Sequence, residues 1–372
     1  MKRFFILLFF IPVFGFADPM YSPTWGFYID LPEGYEYTDG DAKDRFSFKG
    51  PGGAMFDIAV YYGRYANLHE LMNDVNKSIK NKGDVDYYRY NNRQTAITEL
   101  TFDDYHGWAI AVELDKKNGK QPMLLALAYG LSAIKDLEIF HISALDSICP
   151  SQEERRYPGP VIDYSYPRGG QKKVTIAAGN INVMIHENDA EAAQVFIERE
   201  FQLLQNYVNS QKWQEAWIRY YRSIYRDSYD RIANAASMIV RSWGGPSTPG
   251  DAERRAFAQR AFTLVQAYKY ERSPRGSDFI NLVTAITEAR GDCDSRAMIC
   301  AILLSKADMR AAMMISRQYS HAMGLIDVNG TGARFEAYGT KWLVAETTAK
   351  VDIGLIAEEV SDPNYWLGVV FE

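Results

Sequence analysis

The stretch Gly291-Asp292-Cys293-Asp294-Ser295-Arg296-Ala297 constrains this chain more than any other, because two later segments complete the pattern it begins. Arg290-Gly291-Asp292 reads as a turn, and the run from Ser295 to Leu304 is apolar apart from Ser295 and Arg296, so Cys293 stands at or just inside the N-terminus of a buried helix. His321 begins a strand-like run to Val328, and Glu346 lies in a second one, Trp342 to Thr347. Neighbouring strands run about 4.8 Å apart. A carboxylate on one can therefore hold one nitrogen of an imidazole on the other and leave the second nitrogen facing a thiol. The free amides and dipole at a helix N-terminus favour a thiolate, so the Cys293 pKa is predicted to fall below the free value of about 8.5.

The chain has three cysteines, Cys149, Cys293 and Cys300. Cys293 and Cys300 are seven residues apart on one helix, which separates them by roughly 10 Å along the axis. A disulfide needs Cα atoms within about 7 Å, so those two do not pair. A bridge from Cys149 to Cys300 stays open, and Cys293 is the expected free thiol. Cys300 belongs to the apolar run and is assigned to the core. His69, His106, His141 and His186 have no partners at ligand spacing, and no CxxC or HxxxH pattern marks a metal site. No cofactor is expected.

The first residues, Met1-Lys2-Arg3, precede an apolar run from Phe4 to Phe16 that ends in Gly15-Phe16-Ala17. This is the pattern of a signal peptide over 1–17, too short for a bilayer-spanning helix of about 20 residues. Export is therefore expected, with the bacterial periplasm the favoured compartment and no integral span after cleavage. The formal charge is −6, and removing Lys2 and Arg3 makes it −8. A chain of that sign lacks the basic footprint nucleic acid requires.

Beyond this leader lie three regions. From 18 to 150, strand-like runs at Gly26–Leu31, Phe46–Phe48, Met55–Tyr62, Gln94–Phe102, Gly107–Leu114 and Met123–Tyr129 alternate with turn signals, and Leu68–Lys80 has a helical face. The expectation is an antiparallel sheet with a helix packed on it. Pro150, Pro158, Pro160, Pro167 and Gly169-Gly170 mark a boundary. The region 151–245 reads as a hairpin, Lys173–Ala177 with Ile181–Ile185, and then two long helices. The second, Gln211 to Trp243, carries an apolar stripe that includes Trp213, Trp217, Tyr220 and Ile224, with Arg219, Arg222, Arg226 and Arg231 on other faces. This pattern is read as core plus a solvated face. The region 246–372 begins with a helix, Ala252–Tyr270, and carries the cysteine helix and the two strands. The fold class is α+β.

The three C-terminal segments, Gly291 to Ala297, His321-Ala322-Met323 and Trp342 to Thr348, resemble the core of the transglutaminase-like superfamily. In this papain-related fold a helix presents Cys to a β-sheet carrying His and an acid. The resemblance spans about 252–350. It departs from the family at Glu346, where Asp is usual, and at Met323, where an aromatic is usual. It implies Cys293 as nucleophile, His321 as base and then acid, and Glu346 as the group that orients the imidazole. It further implies amide chemistry through a thioacyl-enzyme on a peptide, protein or peptidoglycan-peptide substrate, with hydrolysis ahead of cross-linking. The oxyanion would meet the Cys293 amide and a second donor, for which Arg290, Gln318 and Tyr319 are the candidates. The competing expectation is an inactive scaffold of the same fold that binds an envelope partner. Trp25 to Pro32 also faintly resembles the small sandwich domains of the PsbP and Mog1 type.

Overall fold

The computed structural model describes residues 19–176, 180–244, 246 and 250–371, so the expected leader at 1–17 and Ala177 at the end of the hairpin lie outside the described residues. A short pair, β1 (Met20–Tyr21) and β2 (Tyr28–Ile29), precedes a seven-stranded antiparallel sheet. Its strands are β3 (Glu36–Gly40), β4 (Arg45–Lys49), β5 (Met55–Tyr61), β6 (Val85–Tyr90), β7 (Arg93–Phe102), β8 (Tyr105–Glu113) and β9 (Met123–Leu131). They lie in the order β3-β4-β5-β9-β8-β7-β6.

Alternation gives the sheet two apolar faces. Ala96, Ala111, Met123 and Leu125 pack under α1 (Leu68–Ile79), which is capped by the Asn67 side chain. Ile97, Ile110, Val112 and Leu124 face Phe27, Ile29 and α2 (Glu138–Asp146). Val161 of α3 (Pro160–Ser165) joins this second core, so packing on the first sheet continues past residue 150. The strands β3 and β6 carry no clean alternation, and β3 is exposed along its whole length.

The hairpin β10 (Gln171–Ile176) and β11 (Ile181–His186) leads to α4 (Asp189–Gln205), α5 (Trp213–Arg231) and α6 (Ala233–Trp243). The expected single helix over 211–243 is thus two. It breaks at Ile232, which leaves helical geometry at φ −103° and ψ 7°, and the turn brings Asn234 Oδ1 to accept from the Met184 amide of β11. Then come α7 (Asp251–Gln266), β12 (Lys269–Tyr270), α8 (Leu282–Glu288), β13 (Arg290–Gly291), α9 (Cys293–Ser305), β14 (Ala311–Ser316), β15 (His321–Ile326), β16 (Arg334–Ala337), β17 (Thr340–Ala345) and β18 (Leu367–Val370). The last five strands form an antiparallel sheet in the order β16-β17-β15-β14-β18. One face takes α9, and the other buries Met314, Met323, Leu325, Trp342 and Trp366. The core around α9 reaches from Ile162 to Val369 and includes α4, α5 and α6. No helix among the described residues is long and apolar enough to cross a membrane.

The arginines of α5 are not solvated as expected. Arg219 is buried and donates to Glu33 at 3.3 Å, Glu200 at 3.1 Å and Ser143 at 3.3 Å. Arg226 donates to the carbonyls of Asp146, Ile148 and Glu154, and Arg222 pairs with Asp30 at 2.8 Å. This face of α5 is the polar seam that fastens the helical region to the first sheet. Breaking a buried pair leaves an uncompensated charge that costs about 3–5 kcal/mol, whereas more exposed pairs are worth about 1 kcal/mol or less. Arg219→Ala is therefore expected to lower the urea midpoint far more than Arg222→Ala, and equal shifts in the two melts would show that the seam does not hold the halves together.

Candidate functional site

Each of the three predicted residues is placed by a local rule. Asp292 caps α9, its Oδ1 accepting from the Ser295 amide at 2.8 Å and the Ser295 hydroxyl at 2.6 Å, so Cys293 is the first helical residue. His321 is the first residue of β15, after a turn in which Ser316 Oγ accepts from the Tyr319 amide. Glu346 directly follows β17. Cys293 and His321 line one cleft of about 270 Å³, and all three cysteines are free, so the open pairing of Cys149 with Cys300 is not formed.

His321 Nε2 lies 2.9 Å from Glu346 Oε2. The other carboxylate oxygen accepts three bonds, from the Thr347 amide at 2.8 Å and from the Thr348 amide and hydroxyl at 2.7 Å each. Burial works to raise the Glu346 pKa, but the hydrogen bond and charge of His321 and the Thr348 donors outweigh it and bring it down to about 2. An ionised carboxylate only accepts, so Nε2 carries a proton and the Nδ1 lone pair of the neutral ring is left for the cleft.

Strand register explains why a glutamate serves here. Gly324 pairs with Ala345, and continuing that ladder sets Glu346 opposite Met323, two residues along β15 from His321 on the same face. Diagonal neighbours of that kind stand about 7–8 Å apart and meet only through long or aromatic side chains. The extra methylene of glutamate spans the diagonal.

The cysteine departs from expectation. Its side chain is buried at 3% exposure, and its pKa is raised, first by burial and then by the charges of Asp294 and Asp292. The Ala322 amide beside the sulfur favours the thiolate but does not offset them. Burial, with two adjacent carboxylates adding to it, outweighs the helix terminus, and the resting group is the thiol. Its Sγ lies 3.8 Å from Asp294 Oδ2, whose Oδ1 accepts from the Tyr221 hydroxyl at 2.8 Å.

The cleft has further lining from α4 and α5, of which the sequence reading assigns Trp217 to core. Trp217 and Tyr221 of α5 and Phe201 and Leu204 of α4 line it together with Cys293 and His321, as do Arg272, Asp278, Phe279, Ser316, Arg317 and Ser320. The i, i+4 spacing of Trp213, Trp217 and Tyr221 is the available signal. Of Arg290, Gln318 and Tyr319, the candidates for the second oxyanion donor, none lines the cleft. Arg290 is paired with Glu271 and Glu288, and Tyr319 packs on Trp366 and Tyr365. The Cys293 amide stays available at the helix terminus. Among the described residues no three His, Cys, Asp or Glu side chains converge as a metal ligand set.

Behind the site, the Arg296 guanidinium is buried at 1% exposure and donates to three carbonyls: Gly291 at 3.1 Å, Thr347 at 3.2 Å and Tyr268 at 2.8 Å. Gln266 adds bonds to the carbonyls of Glu346 at 2.9 Å and Val351 at 3.0 Å. These two side chains join the cysteine turn to the carboxylate loop.

The lowered Glu346 pKa means that its contribution is present above the unfolded value near 4.5 and lost as pH falls towards 2. An acid titration is expected to take away about 3 kcal/mol over that window in the parent, while Glu346→Gln shows no such step from this position. Glu346→Asp is expected to fall short of His321 across the diagonal. A His321 ring that titrates identically by NMR in this variant and the parent would contradict the need for the longer side chain.

No protein family matches the chain, and no curated protein matches it. Among solved structures it is similar to a chain from Bacteroides thetaiotaomicron VPI-5482, at 11% identity and a TM-score of 0.25 over 61% of this chain and 79% of that one. It is also similar to a candidate cysteine protease from Cytophaga hutchinsonii, at 9% identity and a TM-score of 0.20 over 92% of this chain and 72% of that one.

Proposed function

We propose that the C-terminal half is an exported cysteine hydrolase of the transglutaminase-like kind, which cleaves peptide or isopeptide amides through a thioacyl-enzyme. The observation that carries this reading is one cleft holding Cys293 at a helix head and His321, with the far nitrogen of that ring held by Glu346 at 2.9 Å. Cys293 Sγ bonds to the amide carbon as its proton passes to His321 Nδ1. The tetrahedral adduct then collapses, the C–N bond breaks, and the amine leaves with the proton from His321. Water attacks the thioester, giving its proton to Nδ1, and C–S cleavage returns that proton to the thiol. Glu346 stays ionised throughout and stabilises the imidazolium. The Cys293 amide is one donor to the oxyanion. Peptides, envelope proteins and peptidoglycan peptides all present the required amide, and an amine replacing water at the second step would make the same site a cross-linker.

A second reading, a non-catalytic scaffold, is favoured by the thiol being held in its neutral form beside Asp294. Labelling with a thiol-directed acyl probe separates the two readings. Cys293→Ala is expected to abolish labelling with the far-UV CD spectrum unchanged, and His321→Ala to slow it by about 10²-fold or more, the usual worth of a positioned base. Equal labelling of parent and Cys293→Ala would sink the nucleophile assignment. Mass spectrometry of envelope extract incubated with the parent then distinguishes released peptides from new isopeptide links.

A further inference from the structure

Asp294 has no part in the triad, yet its carboxylate, not His321, is the hydrogen-bond partner of the Cys293 sulfur, at 3.8 Å. It is fixed there from outside the C-terminal region, because Tyr221 of α5 donates to its other oxygen at 2.8 Å. We infer that Asp294, held by Tyr221, is a positioning residue that keeps Cys293 as a resting thiol, and that loss of its negative charge releases the nucleophile. This rests on the reading of Cys293 as a nucleophile and adds a control on when it acts.

An anion beside a buried sulfur disfavours a second anion, so the two protons on Cys293 and Asp294 come off as a coupled pair. The groups around Asp294 act on it in both directions, His321 and Arg272 favouring its ionised form and Asp278 opposing it. Asp278 in the 272–279 segment adds negative charge, and Glu198 of α4 acts on Asp278 in turn, while burial and Asp294 push the carboxyl of Asp292, the cap of α9, well up. Arg272, which also lines the cleft, is paired with Asp278 at 3.2 Å, and Arg317 stands over the Trp213 ring. Tyr220 and Tyr221 are neutral phenols whose ionisation burial opposes, and His321 is turned to Glu346. Burial, with Asp278 adding to it, outweighs the Tyr221 hydrogen bond and the opposing charges of His321 and Arg272 and pushes Asp294 up to about 6. Below that pH the carboxyl is neutral and the penalty on the thiolate is lifted. Above it, each thiolate forms against a charge.

The sign of the effect fixes the pH profile. With Asp294 present, the thiolate fraction climbs one decade per pH unit until the carboxyl ionises, then flattens, because moving a proton from sulfur to carboxylate leaves the proton count unchanged. Without it the climb continues.

The test is the rate of iodoacetamide alkylation of the full-length mature protein from pH 4 to 9, with the modified peptide identified by mass spectrometry so that Cys149 and Cys300 do not contribute. The parent is expected to show a break near pH 6. Asp294→Asn is expected to lack the break and to react up to ~10-fold faster at pH 7, the equivalent of one pKa unit. Tyr221→Phe removes a donor that favours the ionised carboxylate, so its break moves to higher pH, and His321→Ala keeps the break. An Asp294→Asn profile that superimposes on the parent, or runs below it at every pH, overturns the inference. So does loss of the break in His321→Ala. If Asp294→Asn lacks the parent CD spectrum, an unmoved break in Tyr221→Phe decides against the inference. Failure here leaves the acyl-probe result standing, whereas failure of the nucleophile assignment appears in the acyl-probe comparison alone.

Discussion

The arrangement of the site depends on one buried cation. Arg296 sits one turn into α9 and satisfies carbonyls from three separate segments: the turn before the cysteine, the loop after the carboxylate, and the end of the strand approach at Tyr268. These carbonyls lie where helices and strands run out, and a buried polar group left unpaired costs about 1–3 kcal/mol. One planar fork with five donors reaches all three. The ring of Tyr270, with its centroid 5.3 Å from the guanidinium carbon, adds a cation–π contact. Burial lowers the Arg296 pKa, although the general value for arginine is high enough to keep it ionised at neutral pH.

Around that clamp, the distribution of charge is asymmetric. The histidine is served by a fully satisfied carboxylate on its far side, which holds ring orientation and tautomer. The cysteine is served by carboxylates on its near side, which hold its proton. The same functional group therefore acts in opposite senses on the two partners, and the difference lies in position. Glu346 accepts from donors in its own loop and meets the imidazole at a ring nitrogen, whereas Asp294 is bonded by a phenol and turns its second oxygen to sulfur.

Much of this is legible in the sequence, and the parts that are not have definite causes. The apolar run after Cys293 specifies a buried helix, and strand patterns place His321 and Glu346 on neighbouring strands. Periodicity locates a face but does not say what covers it. Trp217 reads as core because it shares a stripe with Ile224, yet one end of that stripe runs out over the cleft, where Tyr221 joins it. Arg219, Arg222 and Arg226 also repeat at helical spacing, which marks a second interface more than a solvated side. The expected fall in the thiol pKa fails because burial disfavours the thiolate first and the Asp294 and Asp292 carboxylates add to it, while the helix dipole is a partial charge that acts over one turn. The edge strands β3 and β6 give no signal because an exposed strand leaves no alternating pattern to read.

The helix α5 has two unlike faces. One carries Trp217 and Tyr221 into the cleft, and the other carries Arg219 between Glu33 and Glu200. Rotating or sliding this helix to widen the cleft would turn Arg219 away from Glu33 and leave buried charges without their partners. The gap between the cysteine and its opposite wall is thereby geared to a sheet that contributes no residue to the chemistry. The width of the cleft follows from how α5 is seated against the first half of the chain, a helix shared between a wall and a hinge-pin.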